Sequence, residues 1–491
     1  IYARIPLQTA PHIVHGDALE LDWRKILPPE ECSFVFGNPP FVGQSFQNPV
    51  QRDQMRRLLD PKGKRAGSLD YVAAWLILAG EYLRQTNAKI GFVATNSITQ
   101  GEQVAQLWPI LFNRYDLEIA FAHSTFAWGS DARGKAHVHV IVIGLECRED
   151  VRLHKRLFSY TDINGEPEET QHAAISPYLF DAEGLVDPHL VVTDHPKAIN
   201  GLPEPRMGTK PVVGQFYLFS TEEKNAFIES EPGASLYFRP FIGSREYLQG
   251  IERYILHLTD IDPSELAKLP LVRERVAAVQ EMRANSRKAA TRALASFPTE
   301  YEVSTIPTAP FLVIPEVSSE RRDYVPIGWL EPPTIPSNLV RVVEHANLTD
   351  FALLTSAMHM ARLRHVSGRL ESRYRYSIGL VYNTFPIPPD FNIGSVNIAK
   401  LEPLAQAILD ARSAHAGATL ADLYDPNLMP PNLRRAHQAL DRAVDRLYRK
   451  SGFASERERV EHLFMLYEKM RAPLEARMKV KSKRHRRMRN S

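Results

Sequence analysis

Between residues 12 and 145 short apolar runs alternate with amphipathic stretches, and this alternation restricts the fold more than any other feature of the chain. The runs at 12–14, 33–36, 89–95, 117–122 and 137–145 have the length and composition of strands, and 33–36 reads as buried. Between them, residues 69–83 set Val72, Trp75, Leu76, Ala79 and Leu83 at helical spacing, and 103–112 is a second candidate helix. Strands separated by helices predict a parallel α/β sheet, with 137–145 as an antiparallel edge.

The texture then changes twice. From about residue 147 to 389 short strands, prolines and aromatics are scattered without long periodicity, apart from a helix expected over 271–295, directly after Pro270. This region reads as α+β. After Pro386, Pro388 and Pro389 the pattern turns helical: Leu433, His437, Leu440, Val444 and Leu447 step by four and three, and Ser455 with Glu458 gives a capping box ahead of Val460, Leu463, Phe464 and Tyr467. At roughly 150 residues per domain, a 491-residue chain accommodates this three-part division. The expected boundaries are 1–150, 151–390 and 391–476, followed by a basic disordered tail at 477–491.

Hydrophobic residues at 44% and charged residues at 24% exclude a collagen-like, mostly disordered or polytopic membrane chain. Two cysteines, Cys32 and Cys147, cannot build a disulfide framework or a four-cysteine zinc site, so a reducing, cytoplasmic setting is expected. The chain opens on Ile1 and not Met, which suggests an excised fragment. Eight Lys or Arg after residue 476 hide an acidic body, because removing them from the net charge of +3 leaves −5. A nucleic-acid footprint must therefore come from local basic clusters or from the tail.

The most informative residues are Asn38-Pro39-Pro40-Phe41, directly after the strand at 33–36. Strand ends are where α/β folds place their sites, and two prolines in succession fix the loop backbone. Methylating an exocyclic amine needs such a loop, because the lone pair of the amine is delocalised into its ring. Acceptors aimed at both amine hydrogens, the Asn38 side-chain oxygen and the Pro39 carbonyl, favour a pyramidal nucleophile. Phe41 offers a face on which an extruded base can stack. The plain alternative is a turn after a strand. About twenty residues upstream, His15-Gly16-Asp17-Ala18-Leu19 places an acid at a second expected strand end, where it can accept a hydrogen bond from a nucleoside cofactor. Alone, Asp17 also fits a helix N-cap.

Gly37-Asn38-Pro39-Pro40-Phe41-Val42-Gly43 resembles motif IV of gamma-type amino-group DNA methyltransferases. The stretches from Phe92 to Gln103 and Phe121 to Trp128 are similar to the MmeI-like (type IIL) branch of that class. So are Arg239 to Glu246, Pro315 to Arg321 and Gly368 to Ser377, so the resemblance spans roughly residues 12 to 388. It implies the later part of a Rossmann-like class I methyltransferase domain, from motif III onward, then a target-recognition domain and a small helical domain. The implied activity is transfer of methyl from S-adenosylmethionine to N6 of a flipped adenine in double-stranded DNA, within a bifunctional restriction-modification enzyme of the prokaryotic cytoplasm. Asn38, Pro39, Pro40 and Phe41 would be catalytic, and Asp17 with Ala18 would touch the cofactor. Phe126 or Trp128 would flank the base, unless both are core. Glu316, Asn338, Leu339, Glu371, Arg373 and Arg375 would face DNA, although Glu371 and Arg373, two apart on one strand face, also fit a surface ion pair.

The chain departs from the family pattern in one respect: no two of its 25 glycines stand two apart, so the glycine-rich cofactor loop is absent. No metal is called for in methyl transfer, and magnesium would serve only the nuclease that the family carries upstream. Neither a membrane nor an obligatory protein partner is implied. A non-catalytic DNA-specificity module, and an N-methyltransferase acting on RNA or protein, are the alternatives.

Overall fold

Four of the six strands in the first sheet run in the same direction. The computed structural model describes residues 11–59, 68–128, 138–150, 154–388, 391 and 399–489, with side chains in the last helix described to residue 473. The chain divides into two units, residues 1–191 and 192–491. In the first, β1 (Phe34–Gly37), β2 (Lys89–Thr95), β3 (Leu117–Trp128), β4 (Val138–Cys147), β5 (Lys155–Ser159) and β6 (Glu168–His172) form one sheet. Its order is β1-β2-β4-β3-β5-β6. β1 and β2 pair in parallel, β4 lies antiparallel to both β2 and β3, and β5 pairs in parallel with β3. The carboxyl ends of β1, β2, β3 and β5 therefore share one end of the sheet.

Helices Ala73–Tyr82 and Gly101–Arg114 fall where periodicity placed them. Ala73, Ala74, Leu76, Ile77 and Ala79 are all buried, and Gly80 is needed because a Cβ there would lie 2.6 Å from the Tyr115 ring. The fold class is as expected: an α/β unit, then α+β and helical parts.

Several expectations need correction. Residues 12–14 form no strand, and Ile13 is 82% exposed, since an apolar run without a neighbour to pair with gains no ladder. β1 is not buried: Phe34 and Phe36, which share one face of this edge strand, are 64% and 81% exposed, so that face is uncovered among the described residues. β4 is internal and not an edge; Val140, Ile141, Ile143 and Leu145 are fully buried, as a strand covered on both faces requires. β5 and β6 carry the sheet past residue 150.

In the second unit, two four-stranded sheets and a three-stranded sheet precede the long helices Pro431–Tyr448 and Glu456–Arg489. The helix expected over 271–295 breaks into Pro270–Ala284 and Ala289–Ala293. The break lets the fully buried Arg283 donate to the carbonyls of Pro211, Val212, Leu294, Phe297 and Glu300. The basic stretch after 476, expected to be disordered, continues the last helix to Arg489, in keeping with the helix propensity of Lys, Arg and Met. Leu433, His437, Leu440 and Val444 are buried along Pro431–Tyr448 as the spacing predicts.

Polar ties join the helical part to earlier segments of the same unit. Arg412 donates to the Ile327 carbonyl at 2.6 Å and, through Nε, to the Tyr424 hydroxyl at 2.8 Å. Asp441 accepts from the Tyr324 hydroxyl at 2.6 Å and the Ala357 amide at 2.7 Å. Burial raises the Asp441 carboxyl to about 6. Among the described residues no helix is long and apolar enough to cross a membrane.

At the amino end of β3, Glu118 is 8% exposed and accepts from Lys155 Nζ at 2.8 Å, His189 Nε2 at 2.6 Å and Arg148 Nε at 3.2 Å. Burial alone would raise its pKa, but the hydrogen bonds from His189 and Lys155 outweigh it and hold the carboxyl at about 2. A depressed folded pKa stabilises the fold above the unfolded value and loses that contribution as pH falls. Roughly 3 kcal/mol should therefore disappear between about pH 4.5 and 2. In urea melts at stepped pH, the stability gap between the native chain and Glu118→Gln should narrow across this window, and a gap constant with pH would contradict the assignment.

Candidate active site and base-reading surface

β1 ends at Gly37 and gives way to a loop with little backbone freedom, in which Asn38 is exposed, Pro39 buried, Pro40 exposed and Phe41 half-buried. Prolines supply no N–H for a ladder, so the strand stops there. Bonds from residues 42–47 to the segment ahead of the helix Ala73–Tyr82 then hold the loop in place. Tyr71 N donates to Val42 O at 2.9 Å, Gln44 N to Asp70 Oδ1 at 3.2 Å and Gln47 Nε2 to Leu69 O at 2.9 Å. The other oxygen of Asp70 accepts from Thr95 Oγ1 at 3.2 Å and from the Ser97 hydroxyl. Asp70 thus ties the loop after β1 to the end of β2. Sequence reasoning did not single out Asp70; the only signal was an acid just ahead of an apolar helix. The Asn38 side chain has no hydrogen-bond partner among the described residues.

Asp17 reaches this loop through two intermediates. Its Oδ1 accepts from Leu19 N at 3.0 Å in a local turn, and its Oδ2 from Gln54 Nε2 at 2.9 Å. Gln54 also donates to Glu20 Oε1 at 2.9 Å and accepts from the Tyr71 hydroxyl. Burial, with Asp17 and Glu20 nearby, raises the Tyr71 phenol, which keeps it a donor. Ala18 accepts from Trp23 Nε1 at 2.8 Å through its carbonyl.

Aromatic side chains gather at the ends of β3 and β5, the same end of the sheet as Asn38. Phe126 stacks on Tyr160 with centroids 5.0 Å apart, and Trp128, 41% exposed, lies 6.0 Å from Phe126. His123 stacks on Phe158 at 4.2 Å and its Nδ1 lies 2.9 Å from the Tyr160 hydroxyl. Burial, aided by Arg156, pushes the His123 imidazole below its ordinary range, so it is neutral at pH 7. Phe126 and Trp128 therefore belong to a larger cluster whose downstream members, Phe158 and Tyr160, no local spacing could reveal.

In the second unit, Glu316 comes directly after the strand Phe311–Pro315 and is 9% exposed. Its Oε1 accepts from Arg375 Nε at 3.3 Å and lies 2.8 Å from Arg341 Nη2 in an ion pair. Its amide donates to Leu339 O at 3.0 Å. Asn338 is half-buried and Leu339 is 48% exposed. Glu371, in the left-handed region at φ 58°, turns the hairpin between Gly368–Leu370 and Arg373–Arg375. Glu371 Oε2 accepts from Arg373 Nη2 at 2.8 Å, so the surface ion pair considered from spacing does form. Glu316, Asn338, Leu339 and Arg375 are thus drawn together, with Arg341 as a member that sequence reasoning did not supply. Among the described residues no group of three or more His, Cys, Asp or Glu side chains could hold a metal ion.

Three family models match in sequence: MmeI, DNA-methyltransferase domain, over 1–159; MmeI, target recognition domain, over 186–389; and MmeI, C-terminal domain, over 394–475. The chain belongs to the MmeI family. It is 37% identical over 470 residues to DNA methyltransferase A of Bacillus subtilis (strain 168), covering 95% of this chain and 51% of that protein. It is also similar to the solved structure of the type IIL restriction-modification enzyme MmeI in complex with DNA, at 42% identity and a TM-score of 0.85, covering 96% of this chain and 61% of that one. The chain thus spans about half the length of the curated relative it matches.

The Asp70 tie has a direct test. Asp70→Ala removes the acceptor of the Gln44 amide, and a lost hydrogen bond of about 1 kcal/mol corresponds to roughly fivefold faster exchange. Hydrogen exchange read by mass spectrometry should show that increase at residues 42–46, with β4 amides unchanged; equal rates in the two chains would remove Asp70 from its role.

Proposed function

We propose that this chain carries the target-base half of a DNA adenine-N6 methyltransferase and the surface that selects its duplex sequence, within a bifunctional restriction-modification enzyme. The observation that carries the reading is the Asn38 amide: exposed, without a partner among the described residues, and set on a loop fixed by two prolines and by ties to Asp70 and Tyr71. A preorganised acceptor is worth most where it does not have to reorganise as charge develops. The Asn38 side-chain oxygen and the Pro39 carbonyl accept from the two hydrogens of the adenine amine, and Phe41 stacks on the everted ring. The amine nitrogen attacks, and its surplus proton leaves once the nitrogen has become cationic. No strongly shifted general base is needed.

S-adenosylmethionine supplies the electrophilic methyl carbon. The residues present fit an edge of that cofactor and not its whole cradle. Each Asp17 oxygen accepts one protein hydrogen bond and retains capacity for another, so it can take the cofactor's amine beside Ala18. The glycine-rich loop is absent from the sequence. Labelled cofactor should accordingly bind this chain weakly, and tight binding would contradict the incomplete cradle.

Glu316, Asn338, Leu339, Glu371, Arg373 and Arg375 face the bases in this reading. Arginine can bond guanine O6 and N7 together, and glutamate can accept from cytosine N4. Similarity to a relative solved with DNA supports duplex DNA as the partner.

Expressed from its complete gene in cells with unmodified DNA, the Asn38→Ala protein should lose methylation by roughly a hundredfold or more while DNA affinity stays within a few fold. Parallel loss of both would make Asn38 structural. Exchanging the charges of Glu371 and Arg373 should change the methylated sequence at one base pair, as read by sequencing of modified bases; an unchanged site would remove the pair from the readout.

A further inference from the structure

We propose that Arg341 is a positioning residue that locks Glu316 and Asn338 into a single base-reading unit. This deepens the proposed base-reading function and rests on it. Arg341 lies in the strand Val340–Glu344, opposite Ile314, which brings it beside both the residue that leaves the partner strand and the loop that enters its own. One guanidinium serves both: Nη2 lies 2.8 Å from Glu316 Oε1 in an ion pair, and Nη1 donates to the Asn338 carbonyl at 3.3 Å. The side chains of Arg341 and Glu316 are each only 11% exposed.

Arg–carboxylate pairs often adopt a forked geometry, with two parallel bonds from Arg to the two carboxylate oxygens. Arg341 does not. It divides its terminal nitrogens between two residues, and its buried Nε has no partner among the described residues. Glu316 Oε2 is thereby left without a hydrogen bond among the described residues.

A second arginine completes the arrangement from outside. Arg375 bonds the same Oε1 through Nε at 3.3 Å, and its side chain is 62% exposed. Holding Arg375 by Nε leaves both of its terminal nitrogens for another acceptor. The inner arginine thus sets the carboxylate and the outer one shares it. The result presents one carboxylate oxygen and one guanidinium fork side by side, the two functions that read cytosine N4 and guanine O6 with N7. Ser244 supports the same register by accepting from Glu316 N at 3.1 Å and donating to the Leu339 carbonyl.

The test is a selection of bound duplexes from a randomised pool by the full chain, with native, Arg341→Met and Arg341→Lys proteins whose melting temperatures are measured in parallel. The native chain should return a defined sequence. Arg341→Met should weaken discrimination at one base pair, or at two adjacent ones, by roughly tenfold or more while the other positions keep theirs. Arg341→Lys, which can reach one partner but not both, should fall between. An unchanged consensus in both variants overturns the proposal, as does equal degradation at every position or failure of both variants to fold, since each makes Arg341 merely structural. No consensus from the native chain overturns the DNA-reading assignment itself, and this proposal with it.

Discussion

β4 runs antiparallel between β2 and β3, and the chemistry of the first unit depends on that placement. The helix Gly101–Arg114 carries the chain from β2 to β3, which runs in the direction of β1 and β2 and leaves a gap that β4 then fills. One sheet end then collects the Asn38 loop, the Thr95 and Ser97 hydroxyls and the aromatic cluster around Phe126. The insertion needs a strand that is apolar on both faces and thin at one point. Gly144 meets that need, because a Cβ there would stand 2.0 Å from the Phe121 ring.

Charge is used differently at the two ends of this sheet. At the amino end, Glu118 is buried and bonded to Lys155, Arg148 and His189 from three segments, which stabilises the fold. At the carboxyl end, Asp70 is paired with hydroxyls and a backbone amide, so it orders a loop without adding a cation there. The second unit repeats the logic of polar ties in a buried setting. Arg283 spends its guanidinium on five backbone carbonyls, and these bonds satisfy groups that a segment rich in prolines and short strands would otherwise leave unbonded.

Much of the architecture was legible in the residues. β2 falls on the expected residues 89–95, the buried helix Ala73–Tyr82 lies inside the expected 69–83, and the face of Pro431–Tyr448 follows its apolar spacing. The Asn38 loop was legible because consecutive prolines have few structural uses. What could not be read has a common cause. The exposure of Phe34 and Phe36 depends on which strands lie alongside β1, and apolar composition does not report that. Asp70, Tyr160 and Arg341 act through partners far away in sequence, and a single polar residue leaves no periodic trace. The helix break after Ala284 is likewise set by Arg283 turning inward, whereas composition favoured an unbroken helix.

The ties of Arg412 to Ile327 and of Asp441 to Tyr324 cross the point, near residue 390, where the recognition and C-terminal domains meet in sequence. For anyone recombining specificities among relatives, that seam is the wrong place to cut. A chimera joined there would confront a buried carboxylate and a half-buried guanidinium with foreign surfaces. The structure holds 192–491 together as one compact unit, so a join ahead of 192 leaves these ties intact.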